Sequence, residues 1–129
     1  MKELPRVLFI CKAGQTSEKL STAFAIGKGN GKFACRPSSV LDRELLQHLR
    51  WADYAITITP DAEKLVPELA ETHDLSVKTI PLRSIDRGYH LLLRHGIDGE
   101  ILHERIVAAL EKRLKAAAAT KLLFRARRA

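Results

Sequence analysis

The sequence is poor in cysteine, and it has no long apolar run. Two cysteines in 129 residues cannot form a disulfide framework, which argues against a small secreted domain and fits a reducing compartment. The apolar run near the N-terminus, residues 7–11, is too short for a signal-peptide core, and no run has the length of a membrane span. We therefore predict a cytoplasmic protein without a membrane-spanning segment.

Acidic residues are missing from the C-terminal end of the chain. The formal net charge of the whole chain is +7. Residues 112–129 carry seven cations and no acid, so the other 111 residues are neutral in sum. Such an end suits contact with nucleic acid, anionic lipid or an acidic partner. It is also typical of a helix end that complements its own dipole and then frays into a solubilising tail.

The remaining composition is that of an ordinary globular protein, with 46% hydrophobic and 29% charged residues. Strand and helix patterns alternate along the chain. Because parallel strands need crossover connections, this order predicts one α/β domain with a four-stranded parallel sheet and helices on both faces. We assign residues 1–115 to that domain and residues 116–129 to a basic C-terminal tail.

Local patterns set the expected boundaries. We predict strands over residues 6–11, 32–36, 53–59 and 76–82, and helices over 17–26, 42–50, 60–72 and 100–118. Pro37 is expected to close the second strand, and Pro67 to split or kink the third helix. Thr59 followed by Pro60 is typical of an N-cap and the first helical position. Trp51 is expected in the core.

Cys11 ends the first strand, immediately before a small polar loop and a helix. Ligands of parallel sheets bind at the carboxyl ends of the strands. The small residues Ala13 and Gly14 allow main-chain N–H groups to point inward beside the positive end of the helix dipole, which favours an anion. A thiol in that field becomes a better thiolate nucleophile. The sequence thus suggests a phosphate-binding loop with a nucleophilic Cys11, whereas Cys35 lies in a weak strand and is expected to pack.

The loop and the elements around it resemble the low-molecular-weight protein tyrosine phosphatase superfamily. Its members open with an apolar strand, a C-x5-R-[ST] loop and a helix, and R-W-A-D-Y-A-I-T-I at 50–58 is similar to their entry into a central strand. The resemblance covers about residues 1–115. It implies a phosphatase-like fold, with Cys11 as nucleophile and a phosphate-binding loop formed by Lys12, Ala13, Gly14, Gln15, Thr16 and Ser17.

Two departures from that family affect its chemistry. Ser17 stands where the family has an arginine that binds the phosphoryl oxygens in two-pronged fashion, and each charge-assisted contact of that kind is worth about 1.5–3 kcal/mol. The family's general acid is an aspartate in a late loop. Asp86 is the nearest candidate and Asp98 the alternative, and either is equally typical of a turn or cap. Arg83 and Arg87 in the same loop are candidates to supply the missing cation.

A second resemblance competes with the first. C-K-A-G-Q-T-S at 11–17 is similar to the C-x-A-G-M-[ST]-[ST] loop of phosphotransferase-system IIB subunits of the cellobiose and lactose type. Those subunits carry a phosphoryl group on cysteine and need no arginine. This resemblance implies a phosphocysteine carrier in place of a hydrolase.

We therefore expect a phosphatase-like protein that binds phosphate, a similar oxyanion or a phosphorylated protein at Cys11, with weak or altered activity. The alternatives are the phosphocysteine carrier and a catalytically degenerate binding or regulatory module. We predict no cofactor and no metal, because His90 and His95 have no recognised ligand spacing. The basic tail is a candidate contact for nucleic acid or an acidic partner.

Overall fold

The structure, a computed structural model, describes residues 3–89 and 99–128, with side chains up to Leu123. It is an α/β fold with one four-stranded, all-parallel sheet in the order β2-β1-β3-β4. Within these two ranges the elements, in chain order, are β1 (Arg6–Cys11), α1 (Gln15–Ile26), β2 (Ala34–Ser39), α2 (Leu45–Trp51), β3 (Tyr54–Thr57), α3 (Pro60–Thr72), β4 (Lys78–Pro81), α4 (Leu82–Ile85) and α5 (Gly99–Arg128). The predicted fold class is confirmed.

Side chains on the two faces of the sheet build two hydrophobic clusters. Val7, Phe9 and Cys11 of β1 belong to the first cluster, in which α1 and α5 pack against the sheet. Leu8 and Ile10 belong to the second, on the side covered by α2 and α3. The helix residues that are fully buried in the first cluster are Phe24, Leu82, Leu102, Ile106 and Leu110. A central strand buried on both faces has a continuous apolar sequence, which explains why β1 matches its predicted bounds.

Pro37 does not close its strand and Pro67 does not split its helix, although we predicted the first and gave the second as one of two outcomes. Pro37 lies inside β2, which runs on to Ser39. β2 is an edge strand, where a missing N–H can face solvent without breaking the sheet. Pro67 lies inside α3, which is one helix over Pro60–Thr72. Pro67 is exposed, so its ring does not press on the core, and the helix continues although the carbonyl of Glu63 has no N–H donor at position 67.

Other boundaries shift for local reasons. α2 begins at Leu45, later than predicted, because the Asp42 carboxylate accepts the Glu44 N–H at 2.8 Å in a turn before the helix. β3 ends at Thr57, since Thr59 is already the N-cap of α3 and its hydroxyl accepts the Ala62 N–H at 3.4 Å. α5 extends to Arg128, so the segment expected to fray beyond residue 118 is helical.

Trp51 lies at the end of α2 and is half-buried, although we predicted a core position. The guanidinium carbon of Arg36 stands 4.3 Å from the centre of the Trp51 ring, and that of Arg6 stands 5.8 Å away. The indole thus packs on the second cluster and also contacts two cations. None of the helices in the described ranges is long and apolar enough to cross a bilayer.

Candidate functional site

Cys11 ends β1, one of the two central strands, and α1 begins four residues later at Gln15. Gly14 is the N-cap of α1, with a left-handed backbone at φ 96° and ψ −19°. A side chain at that position would be strained even though the nearest atom to an added Cβ, Ser39 Cβ, is 3.6 Å away. The glycine therefore allows the tight path from strand to helix.

The loop closes around the sulfur of Cys11. The main-chain N–H groups of Gly14 and Ser17 donate to Sγ at donor–acceptor distances of 3.0 and 3.4 Å. The thiol in turn contacts Ser17 Oγ at 3.2 Å. Both amides belong to the cap and first turn of α1, whose dipole is positive at that end. Cys11 is only 3% exposed, yet its sulfur lies among donors and not in hydrocarbon alone.

These contacts change the acidity of the thiol. Burial acts to raise the pKa of Cys11, but hydrogen bonds from the Ser17 side chain and from the main chain of Ser17, Gly14 and Thr16 lower it below its ordinary value of 9.0. Cys35 shows the opposite behaviour, since burial raises its pKa to about 11. The two thiols thus differ in acidity in the direction that favours Cys11 as the nucleophile.

Ser17, which stands where the C-x5-R motif would place an arginine, is fully buried. Its hydroxyl donates to the main-chain oxygen of Ser38 at 2.7 Å and lies 3.0 Å from the oxygen of Gly14. One hydroxyl hydrogen serves these two acceptors, and a Cys11 thiolate would be a third. Ser17 therefore ties the loop to β2, and it stabilises a Cys11 thiolate when its one hydrogen turns from Ser38 to the sulfur. Its side chain does not project toward solvent.

The other predicted loop residues line the outside of the turn. Lys12, Ala13, Gln15 and Thr16 are exposed. Lys12 Nζ lies 3.8 Å from Asp61 Oδ2 in an exposed ion pair, which is worth about 0–1 kcal/mol. Since α1 leaves the N–H groups of its first turn without helical partners, that of Gln15 is a candidate donor to a bound anion, whereas that of Thr16 already acts on the Cys11 sulfur.

The late-loop candidates have other partners. Asp86 is buried, its Oδ1 accepts the Gly88 N–H at 2.8 Å, and its Oδ2 pairs with Arg105 of α5. Neither partner belongs to the Cys11 loop, so the structure does not bring Asp86 and Cys11 together through a contact. The Arg83 Nε–H is shared between the two carboxylate oxygens of Glu63, at 3.0 Å from Oε1 and 2.9 Å from Oε2. Arg87 is exposed, and Asp98, His90 and His95 lie outside the described residues.

Sequence reasoning missed the contribution of β2. Ser39 is the register partner of Cys11, and the carbonyl of Ser38 accepts from Ser17. The Ser38 hydroxyl lies 2.9 Å from His48 Nδ1 and 3.3 Å from Asp42 Oδ2. The sequence feature that indicates this contribution is the Ser38-Ser39 pair at the end of a strand. We predicted the second strand over residues 32–36, which placed both serines outside the sheet.

Comparison with known proteins gives a distant structural likeness. No protein-family model matches the chain, and no curated protein matches it. The crystal structure of Zn(II)-bound AdcA from Streptococcus pneumoniae is similar over 64% of this chain, with 14% sequence identity and a TM-score of 0.40. This chain spans 19% of that chain's length. A likeness at this level carries no argument about fold or function.

Proposed function

We propose that the Cys11 loop binds phosphate or a similar oxyanion and that Cys11 attacks the phosphorus of a phosphate monoester, as in a low-molecular-weight phosphatase. The observation that carries this proposal is the pair of main-chain N–H groups, from Gly14 and Ser17, that donate to the Cys11 sulfur. Donors that stabilise a thiolate at a helix N-terminus also suit a phosphoryl group bound to it.

The proposed reaction has two steps. The thiolate forms a P–S bond while the bond from phosphorus to the leaving oxygen breaks, and that oxygen takes a proton from solvent or an acid. Water then attacks the phosphocysteine, the P–S bond breaks, and phosphate leaves with regeneration of the thiolate. We assign no general acid to the first step, because the Asp86 carboxylate is already paired with Arg105 and Gly88.

Turnover is expected to be weak. Ser17 supplies a buried hydroxyl that already donates to Ser38, so it does not replace the planar cation of the phosphatase motif. Arginine contacts to a transferring phosphoryl group are worth on the order of 10³ or more in rate. A protein without them retains oxyanion binding and loses most of the acceleration of hydrolysis.

The same observations favour a second candidate, a phosphocysteine carrier. A buried Ser17 and an ion-paired Asp86 leave neither residue free to promote attack of water on phosphocysteine. A phosphoryl group would then remain on Cys11 until an acceptor protein or small molecule takes it. The two candidates differ in the lifetime of the P–S bond, which is measurable.

The test uses two phosphoryl donors with the full chain. With p-nitrophenyl phosphate, the phosphatase candidate predicts slow catalytic release of nitrophenol that Cys11→Ser abolishes and Cys35→Ser leaves intact. With phosphoramidate, the carrier candidate predicts one added phosphoryl group by intact-mass spectrometry, located on Cys11 and persisting after the donor is removed. If the protein neither hydrolyses p-nitrophenyl phosphate nor takes a phosphoryl group from phosphoramidate, both candidate functions are wrong. The catalytically degenerate binding module then replaces them.

A further inference from the structure

The second half of α5 carries a surface that the chemistry at Cys11 does not use. α5 has 30 residues and is about 45 Å long. Its first part is fully buried at Leu102, Ile106 and Leu110, and Leu114 still packs against the same cluster. Among the described side chains, none beyond Leu114 belongs to either cluster. The helix therefore continues past the core that holds it.

The two sides of this segment face different surroundings. Arg113, Ala117, Thr120 and Lys121 line a groove of about 550 Å³ whose other wall is residues 78–80, at the edge strand β4. The side turned away from the middle of this groove forms what we call the outward stripe, made of Lys112, Lys115, Ala119, Leu122 and Leu123. Their spacing places them on one face of a helix, and all five are exposed. The edge of the stripe adjoins Ala116, which also lines the groove.

The outward stripe combines exposed leucines with positive charge. Leu122 is 66% exposed and Leu123 is 61% exposed. Lys112 and Lys115 lie about two to three turns earlier on the same face, in a segment with seven cations and no acid. A partner that covers this stripe must therefore accept apolar side chains and carry negative charge.

Charge and geometry separate the possible partners. A second copy would bring two segments of the same high positive charge together, which is unfavourable. Nucleic acid would neutralise the lysines but offers the leucines no apolar surface. An acidic protein that wraps a helix needs access all around, whereas one side here faces β4. An anionic bilayer contacts a single face and accepts both leucines and lysines.

We propose that the outward stripe binds the surface of an anionic phospholipid bilayer, with Leu122 and Leu123 at the boundary between headgroups and acyl chains. The lysines contact the headgroups, and α5 lies along the surface without crossing it. This would hold the domain at a membrane through its C-terminal helix. The proposal is independent of the chemistry at Cys11.

The test is co-sedimentation of the full chain with vesicles. Vesicles of phosphatidylserine and phosphatidylcholine are expected to bind the protein, with affinity that falls as salt rises, and vesicles of phosphatidylcholine alone to bind it far less. Leu122→Ala combined with Leu123→Ala is expected to weaken binding at least about tenfold. Lys115→Gln is expected to weaken it about fivefold.

Matched controls use exposed residues away from the stripe. Ile26→Ala with Leu41→Ala removes aliphatic groups that are 73% and 71% exposed, and Lys64→Gln removes an exposed cation. Both are expected to bind vesicles like the wild type. The proposal is overturned if the leucine variant also binds normally, if random-sequence duplex DNA binds more tightly than vesicles, or if light scattering shows a dimer that the leucine variant dissociates.

Discussion

Ser17 and Ser38 are joined by a 2.7 Å hydrogen bond from the Ser17 hydroxyl to the Ser38 carbonyl, and this bond ties the first turn of α1 to the end of β2. The same hydroxyl lies 3.2 Å from the Cys11 sulfur. Ser17 thus links the geometry of the loop to the acidity of the thiol.

Ser17→Ala tests both roles. It leaves the buried Ser38 carbonyl without its donor, which costs about 1–3 kcal/mol of unfolding free energy. It also raises the pKa of Cys11, because the Ser17 side chain is among the groups that lower it. Urea unfolding and thiol alkylation against pH measure the two effects. The control is Ser84→Ala, whose hydroxyl donates to Pro81 at 2.6 Å but is exposed. If Ser17→Ala and Ser84→Ala lose the same free energy of unfolding, the buried Ser17–Ser38 bond does not have this structural role.

Gly14→Ala separates backbone strain from the effect on sulfur. Both Gly14 and Gly31 have positive φ, 96° and 74°, so alanine at either position costs about 1–2 kcal/mol. Of the two variants, only Gly14→Ala is expected to raise the pKa of Cys11: alanine keeps the N–H, but a backbone that leaves positive φ turns this N–H away from the sulfur it now contacts. Alkylation rates of the two variants across pH check this. A Cys11 pKa that shifts equally in both would exclude a specific contribution of the Gly14 amide.

Much of the fold followed from the sequence, because it depends on local patterns. The continuous apolar run of β1 and the Thr59-Pro60 start of α3 were both predicted. The course of β2 through Pro37 was not, since it depends on β2 being an edge strand. In the site, the loop around Cys11 was predicted from residue types. The Ser17–Ser38 bond requires the register of two strands, which no local pattern gives.

Thr57→Val is expected to stabilise the protein by about 1 kcal/mol. Within the described residues, Thr57 Oγ1 is a buried side-chain oxygen without a hydrogen-bond partner. Its hydroxyl therefore loses its hydrogen bonds to water on folding, and no protein group replaces them. Thermal or urea unfolding measures the change. Thr79→Val is the control, because Thr79 is half-buried on the neighbouring strand and its hydroxyl can reach solvent. A loss of stability in Thr57→Val would mean that the hydroxyl is satisfied.

We predict that the folded protein loses stability at high pH because of Cys35. Burial raises its pKa to about 11 from an ordinary value of 9.0, so the folded protein keeps a proton that the unfolded chain releases. The stabilisation is therefore complete below pH 9 and falls as pH rises toward 11. Unfolding of the wild type and of Cys35→Ser across this range measures it. The difference in free energy of unfolding between the wild type and Cys35→Ser should shrink as pH rises. A difference that does not change with pH would contradict the raised pKa of Cys35.

The central claim is that main-chain donors hold Cys11 as a reactive thiolate in an anion-binding loop. Its most direct test is the rate of Cys11 alkylation by iodoacetamide against pH, in Cys35→Ser protein, with and without inorganic phosphate. We expect a Cys11 pKa below 9.0 and slower alkylation when phosphate is present. An ordinary or raised pKa, with a rate that phosphate does not change, would contradict it.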